Sequence, residues 1–285
     1  MLGGISYAFY KKMLIAQMII VINFIIFFLE ILTSSSFSLA GSSLVKDLAF
    51  RPSDIQEITP LYTLLTSLFL HADLWHILMN MIVFLVVGIP FEQRVGSHRF
   101  TAIYLVSGVC GALFFAVFNW QSQVLLIGAS GAIFGIIGAF ATLYPRDEIV
   151  MPIPMFIIFF IRMPVIVAAL LFAGLETVYT VAGVTDGVAH LAHIGGLVSG
   201  IVLATVYRKI LPEQRQRQPS LAHLAALVKT EQHQQLLDKI QAADIPEVRE
   251  AWLSRFLEDV TCPTCGGTLQ LGRGIRCKKC GRRYD

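Results

Sequence analysis

Four polar side chains stand out because they lie within or at the ends of long apolar stretches, where such residues are costly and by default indicate function. They are Ser130, His193, His76 and Asn80. A serine hydroxyl beside an imidazole is the pair that an activated nucleophile and its general base require. We therefore predict Ser130 as a nucleophile, His193 as its base, and His76 and Asn80 as donors to a developing oxyanion.

The spacing of neighbouring residues indicates how these side chains could meet. His76 and Asn80 are four residues apart, so a helix places them on one face. Ser130 and His193 each lie just before a pair of glycines spaced by four, Gly131–Gly135 and Gly196–Gly200. Such pairs let two membrane helices approach closely. Packing through these faces would bring the serine hydroxyl within hydrogen-bond reach of the imidazole.

The composition indicates a membrane protein. The chain has 285 residues, of which 55% are hydrophobic and 14% charged, whereas about 25% of a typical soluble domain is charged. Mean hydropathy is +0.69. The formal net charge of +3 and the high apolar content exclude a disordered chain and a basic protein that wraps nucleic acid. Five cysteines are too few for a disulfide scaffold of this length.

Six apolar stretches approach the roughly 20 residues that a helix needs to cross a bilayer. The stretch from 151 to 161 is too short to cross, and we expect it to form an interfacial segment leading into the fifth span. Residues 1–210 are therefore predicted to form an all-α polytopic membrane domain. Its predicted spans are Met13–Leu32, Leu74–Ile89, Ala102–Phe118, Val124–Leu143, Pro164–Ala182 and Val188–Tyr207.

The distribution of positive charge predicts the orientation. With six spans both termini share a side, and the long first loop on the other side holds only Lys46 and Arg51. The positive-inside rule then places the N- and C-termini in the cytoplasm, and we expect a prokaryotic plasma membrane. The four polar side chains fall near the outer ends of their spans. The cations on the cytoplasmic side are Lys11, Lys12, Arg94, Arg99, Arg146, Arg208 and Lys209.

Other readings of these residues remain open. A single serine in a membrane helix most often serves helix packing. His76, His190 and His193 with Asn80 could hold a metal, since His190 and His193 are three apart on one helix face.

Acidic residues bear on these alternatives. Asp73 and Asp186 are in loop-like positions, and Glu176 is the one candidate acid within the later spans, which is too few for a metal transporter. No third acid is expected beside His193, which would then be oriented by packing alone.

Three separated motifs make the chain resemble the rhomboid intramembrane serine proteases. They are His76-x-x-x-Asn80, Gly128-Ala-Ser130-Gly131 and Ala192-His193-x-x-Gly196-x-x-x-Gly200, in the order and topology of that family. A fourth motif, Glu92-x-Arg94-x-Gly96, follows the second span. The resemblance covers about Leu61–Tyr207. Where the family commonly carries Trp-Arg upstream of the second span, this chain has Tyr62-Thr63.

The resemblance implies a six-transmembrane-helix bundle and an endopeptidase that cleaves single-pass or polytopic membrane proteins near the outer membrane face. It implies a Ser130–His193 dyad without a catalytic cofactor, and an oxyanion site formed by His76, Asn80 and backbone N–H groups around Ser130, including Gly128. An aromatic residue at Phe134 would pack on the histidine. The rival class is a non-catalytic membrane adaptor that binds transmembrane helices.

The chain changes character after residue 210. Residues 1–210 hold 20 charged residues, whereas the 75 residues of 211–285 hold 21. We predict a polar linker and short cytoplasmic helices over 211–258. One helix is expected over Ser220–Ala242, and a second would be capped by Asp244 and run through about Leu257.

The last part, residues 259–285, is predicted to be a zinc-ribbon-like module. Cys262 and Cys265, and then Cys277 and Cys280, form two C-x₂-C pairs with eleven residues between them. Four thiolates in a reducing compartment suit a structural Zn²⁺ site, while an iron–sulfur centre or redox-active pairs are the alternatives. Nearby cations offset the thiolate charge, so nucleic acid is not the expected partner. A cytoplasmic partner is the hypothesis, and Cys110 is expected to serve packing.

Overall fold

The computed structural model describes residues 14–34, 42–56, 61–154, 158–210, 221–243, 246–271 and 275–284. The chain divides into two compact units, Met1–Ile210 and Leu211–Asp285. Three features predicted from the sequence lie outside the described residues. They are the cytoplasmic cations Lys11 and Lys12, the polar linker over 212–219 and the helix cap at Asp244.

The first unit is mainly helical. Short helical segments, including α2 and α3, lie in the long first loop, and a β-hairpin of β1 and β2 precedes α7. The elements are α1 (Ile15–Thr33), α2 (Ser43–Leu48), α3 (Thr63–Thr66), α4 (Leu74–Val95), α5 (Ser97–Phe118), α6 (Ser130–Leu143), β1 (Glu148–Pro154), β2 (Ile158–Pro164), α7 (Val165–Ala182) and α8 (His190–Ile210).

Five helices in the described part of the chain are long and apolar enough to cross a membrane, namely α1, α4, α5, α7 and α8. The sixth apolar helix, α6, has 14 residues and is only about 21 Å long. The predicted fourth span, Val124–Leu143, therefore becomes helical only at Ser130. Its first part is an extended loop because Leu126 pairs with Phe50 in an antiparallel bridge.

Helix α6 lies in the centre of the unit, and nearly all its side chains are buried. Glycines allow α8 to pack directly on its backbone. A methyl group on Gly196 would overlap the carbonyl oxygen of Gly131, and one on Gly200 would overlap that of Gly135. The predicted close packing of these two glycine faces is confirmed.

The end of the bundle at which α4 and α6 finish is held together by Glu92 and Arg94 of the fourth motif. The Glu92 carboxylate accepts hydrogen bonds from the N–H groups of Ile15 and Ala16, at 2.9 and 2.7 Å, so it caps the start of α1. Arg94 pairs with Asp147 at 2.8 Å, which ties the end of α4 to the loop after α6. These contacts place the start of α1 and the ends of α4 and α6 together.

The segment before α7 is a β-hairpin. Strands β1 and β2 pair antiparallel from Glu148↔Pro164 to Pro154↔Ile158. The described residues of the expected interfacial segment, 151–154 and 158–161, are thus part of a two-stranded ribbon. Both of its strands are edge strands, which is where prolines such as Pro152 are tolerated.

The second unit has helices α9 (Leu221–Ala225), α10 (Glu231–Ala242) and α11 (Pro246–Asp259), with three short strands: β3 (Leu269–Leu271), β4 (Ile275–Cys277) and β5 (Arg283–Tyr284). The prediction of a single helix over Ser220–Ala242 is wrong, because the Thr230 side chain accepts a hydrogen bond from the His233 N–H and starts a new helix. Strands β3, β4 and β5 form a three-stranded antiparallel sheet, the ribbon of the second unit. The helices and this ribbon share one apolar core, in which Phe256 packs with Leu269 and Cys277.

Candidate active site

Ser130 and His193 lie at the starts of α6 and α8, at the same end of the bundle. The His193 Nε2 and Ser130 Oγ atoms are 2.7 Å apart, a hydrogen-bonding distance. The first turns of the two helices meet here because Gly196, one turn after His193, packs directly on Gly131, which follows Ser130. The structure therefore brings together the two residues that the sequence selected as nucleophile and base.

The imidazole of His193 is held between an aromatic ring and a carboxylate. Phe134 lies one turn after Ser130, and its ring stacks on His193 at 4.4 Å with an interplanar angle of 6°. This contact confirms the packing that the resemblance implied.

The carboxylate belongs to Glu176 of α7, whose Oε1 is 3.0 Å from His193 Nδ1. The expectation that no acid accompanies His193 is wrong. The contact is close but not collinear with the ring N–H, since His193 Nδ1 has no well-aligned acceptor among the described residues. Catalytic hydrogen bonds are often misaligned before substrate binds.

The second oxygen of Glu176 contacts His190, which the sequence suggested only as a possible metal ligand. Glu176 Oε2 is 2.6 Å from His190 Nδ1, and Asp186 Oδ1 is 3.2 Å from His190 Nε2. A hydrogen bond from the Val188 N–H, with His190 nearby, holds the pKa of Asp186 below its ordinary value. Asp186 is therefore ionised at neutral pH, so the contacts run from Ser130 to an ionised side chain in the α7–α8 loop.

His76 faces Ser130 from α4. Asp73 caps this helix by accepting a hydrogen bond from the His76 N–H at 2.8 Å. The Nδ1 atom of His76 accepts from the Ala72 N–H at 3.3 Å, so in a neutral ring the proton is on Nε2. That Nε2 points at Gly128, where it lies 2.8 Å from the position a β-carbon would occupy.

Two other predicted donors have partners of their own. The Asn80 side-chain amide donates to the His76 carbonyl at 3.0 Å, so its described bond is within α4. The Gly128 N–H donates to the Ser67 carbonyl at 2.9 Å. Gly128 has φ +121, a conformation that glycine adopts readily, and it leaves room for the His76 ring.

The loop that leads into α4 is anchored by a buried acid of α1. The Glu30 carboxylate accepts a hydrogen bond from the His71 N–H at 3.2 Å. The His71 ring packs edge-on against His76 with 5.0 Å between ring centroids. His71 thus forms the wall behind His76, a role that its position in sequence did not reveal.

A second cluster of reactive side chains lies in the unit 211–285. Ligand atoms of Cys262, Cys265, Cys277 and Cys280 all lie within 4.8 Å of one another. The Sγ atoms of Cys265 and Cys277 are 3.5 Å apart, and those of Cys262 and Cys280 3.8 Å. A tetrahedral site with Zn–S bonds of about 2.3 Å would separate its sulfurs by about 3.8 Å, so this arrangement fits a metal ion.

Glycines shape the backbone around the cysteines. Gly266 and Gly281 both have positive φ, +67 and +73, and their N–H groups donate to the Cys262 and Cys277 carbonyls, at 2.9 and 3.0 Å. The two C-x₂-C pairs thus make equivalent turns. A β-carbon on Gly267 would lie 3.0 Å from the Cys277 sulfur. The absence of a side chain at Gly267 therefore lets its backbone pack directly against the cysteine cluster.

Burial raises the pKa of the Cys262 thiol, but hydrogen bonds from Tyr284 and from backbone N–H groups outweigh this effect and lower it to about 5. A lowered pKa favours the thiolate, which is the form of cysteine that binds metals.

Comparison with known proteins places the first unit in a family. A Rhomboid domain model matches residues 59–210, which include Ser130, His193, His76 and Asn80. RHOMBOID-like protein 1 of Arabidopsis thaliana is 30% identical over 153 residues, covering 51% of this chain and 34% of the relative. Rhomboid-like protease 3 of Toxoplasma gondii is 27% identical over 164 residues, covering 52% of each chain.

A third relative, Rhomboid protein 1, mitochondrial, of Saccharomyces cerevisiae, is 26% identical over 167 residues, covering 56% of this chain and 46% of the relative. The chain thus spans from a third to about half of the length of these relatives. They come from eukaryotes, so they do not support the expected prokaryotic plasma membrane, and residues 211–285 lie outside the domain match. Because the domain match covers more than half of its residues, the chain belongs to the rhomboid family.

Proposed function

We propose that the protein is an intramembrane serine endopeptidase in which Ser130 is the nucleophile and His193 the general base. The observation that carries the proposal is the 2.7 Å contact between Ser130 Oγ and His193 Nε2 at the joined starts of α6 and α8. His193 is buried and Ser130 is half-buried, and the helix starts place the pair near one end of the bundle. Its substrates would be transmembrane helices of other proteins.

The reaction uses one nitrogen of His193, Nε2, first as a base and then as an acid. His193 Nε2 takes the proton as Ser130 Oγ bonds to the scissile carbonyl carbon, and the carbonyl π electrons move to oxygen. The protonated His193 then gives that proton to the leaving amine as the C–N bond breaks. Water hydrolyses the acyl-enzyme by the same two proton transfers, which restores Ser130.

The oxyanion would be stabilised by donors at the start of α6 and by His76. The first N–H groups of an α-helix have no acceptor within the helix, and α6 begins at Ser130. His76 Nε2–H faces the same position across Gly128. Asn80 would act indirectly, because its amide holds the His76 carbonyl, and Gly128 would act by leaving space rather than through its N–H.

Reaction of the bilayer-embedded protein with a fluorophosphonate tests the proposal. We expect labelling of the wild type, and a loss of labelling and of reporter cleavage by at least about 10³-fold in Ser130→Ala and His193→Ala, since a dyad acts as a unit. Ser107→Ala is the matched control. Its hydroxyl is buried in α5 and has no hydrogen-bond partner among the described residues, so activity should stay within twofold.

The alternative outcome is equally clear. If Ser130→Ala cleaves the reporter at the wild-type rate, the dyad assignment is wrong. If the wild type is folded yet neither labels nor cleaves, the non-catalytic adaptor is the better description.

We infer further that the four cysteines of the second unit bind one structural Zn²⁺ ion. The support is the tetrahedral spacing of their sulfurs and the glycine-lined turns around them. Four protein thiolates close the coordination sphere, which suits a structural rather than a catalytic ion. Metal analysis of purified protein should give about one zinc per chain. Iron with visible absorption would instead indicate an iron–sulfur centre.

A further inference from the structure

We propose that Glu176 is a positioning residue for His193, and that it forms a relay with His190 and Asp186 that links the dyad to the α7–α8 loop. The inference rests on the proposed function, because it assigns a role toward the same histidine. It adds to the dyad a carboxylate that comes from a third helix.

The geometry orders these groups along one path. Ser130 Oγ contacts one nitrogen of His193 at 2.7 Å, and Glu176 Oε1 contacts the other at 3.0 Å. If Nε2 is to accept the serine proton, the single proton of a neutral ring must be on Nδ1. The carboxylate beside Nδ1 favours that tautomer and stabilises the imidazolium that forms when Ser130 attacks.

The remaining contacts hold the carboxylate itself in place. His190 Nδ1 and Glu176 Oε2 are hydrogen-bonded at 2.6 Å, whereas Asp186 lies 3.2 Å from the far nitrogen of His190 without the alignment of a hydrogen bond. Tyr179 packs on His190 from α7, with ring centroids 5.1 Å apart. Each oxygen of Glu176 therefore has its own histidine, so that neither can rotate away without losing a contact.

Burial argues that these contacts are not incidental. Glu176 is 7% exposed and lies within a helix that is long and apolar enough to span the membrane. An acid inside a membrane is expensive and needs partners. A purely structural acid would be satisfied by His190 alone, whereas here one oxygen is directed at the ring nitrogen opposite the one that contacts Ser130.

A metal ion does not explain the cluster equally well. Glu176, His190 and His193 have donor atoms within 4.8 Å of one another. Oxygen and nitrogen ligands at about 2.0 Å from a tetrahedral ion would be separated by about 3.3 Å. The 2.6 Å between Glu176 and His190 is too short for that arrangement and is typical of a direct hydrogen bond.

Steady-state cleavage of a reporter by full-length protein in liposomes tests the relay. Glu176→Gln keeps the volume but removes the charge, and we expect kcat to fall about 10²-fold with KM within twofold, within the range for general acid–base effects. Glu176→Asp should recover at least tenfold of that loss. Thr177→Val is the control, because this neighbouring side chain is exposed and its hydroxyl donates to the Ala173 carbonyl of its own helix. It should behave as the wild type.

Two further variants keep the test decisive if Glu176→Gln does not fold. His190→Gln should lower kcat about tenfold, and Asp186→Asn, at an exposed position that does not threaten folding, about threefold. Wild-type kcat in all the folded variants overturns the relay while leaving the dyad intact. Loss of a bound metal on Glu176→Gln, found by metal analysis, also overturns it. An active Ser130→Ala protein would instead contradict the proposed function itself.

Discussion

Gly196→Ala is expected to lower the cleavage rate sharply although it adds one methyl group and changes neither Ser130 nor His193. The new β-carbon would overlap the backbone carbonyl of Gly131, and a backbone, unlike a flexible side chain, cannot move aside. The helices α6 and α8 must then separate. His193 lies one turn before Gly196, and Ser130 directly precedes Gly131, so the separation falls on the 2.7 Å contact between them.

The size of the effect follows from the sensitivity of catalysis to position. A displacement of about 1 Å costs about 10²-fold in rate, and overpacking a tight core costs about 1–3 kcal/mol of stability. We therefore expect kcat to fall by at least about 10²-fold, with a lower thermal midpoint.

Gly174→Ala is the matched control for this change. It also adds a methyl group to a membrane helix, but a β-carbon at Gly174 has no neighbour within 4 Å. It should leave activity and thermal midpoint unchanged. Wild-type activity in Gly196→Ala would mean that α6 and α8 are not in backbone contact.

Cys277→Ser is expected to unfold the ribbon of the second unit. Strands of three, three and two residues bury little apolar surface, and Cys277 lies in the apolar core that the ribbon shares with α11. Structural zinc contributes about 10–16 kcal/mol of apparent binding free energy, comparable to the whole stability of a typical domain. If the cysteines hold the proposed ion, its loss leaves too little free energy to order these strands.

Hydrogen exchange measures this outcome directly. The amides of β3 and β4 should lose protection in Cys277→Ser and in wild-type protein treated with a zinc chelator. Cys110→Ser is the control, because Cys110 lies within α5 and outside the cluster. Unchanged protection of the ribbon after complete removal of the metal would contradict a structural role for the ion.

The contact between Ser130 and His193 was predictable because its signals are local. Ser130 lies next to the glycine pair Gly131–Gly135, and His193 lies three residues before the pair Gly196–Gly200. The spacing of four residues within each pair determines which helix faces meet. The sequence therefore led to a contact between residues 63 positions apart without knowledge of the loops between them.

Glu176 was missed because its role depends on the rotation of α7 about its own axis, which no local pattern fixes. Much of α7 lies on the surface of the unit, so its apolar residues do not define one inward face. The available signal was the high free energy of burying a lone acid in a membrane span, which calls for a hydrogen-bond donor. His190 and His193 lie at the same end of the neighbouring helix. Pairing these residues by charge, rather than by motif, would have found the contact.

Other differences arise from competing backbone interactions. The apolar run from Val124 predicts a longer helix, yet the bond from Leu126 N–H to the Phe50 carbonyl and that from Gly128 N–H to Ser67 hold it extended until Ser130. These partners are more than fifty residues away in sequence. Apolar periodicity cannot report such long-range pairing, so the helix start was placed six residues too early.

The shortness of α6 has a consequence for the lipid surroundings. At about 21 Å this helix is shorter than a hydrocarbon core of about 30 Å, while its neighbours α4 and α5 have 22 residues each. Because α6 is buried at the centre of the unit, lipid meets its longer neighbours, which present exposed apolar side chains such as Leu85 and Val106, and not α6 itself. The bundle can therefore match a bilayer of ordinary thickness although its central helix could not cross one alone.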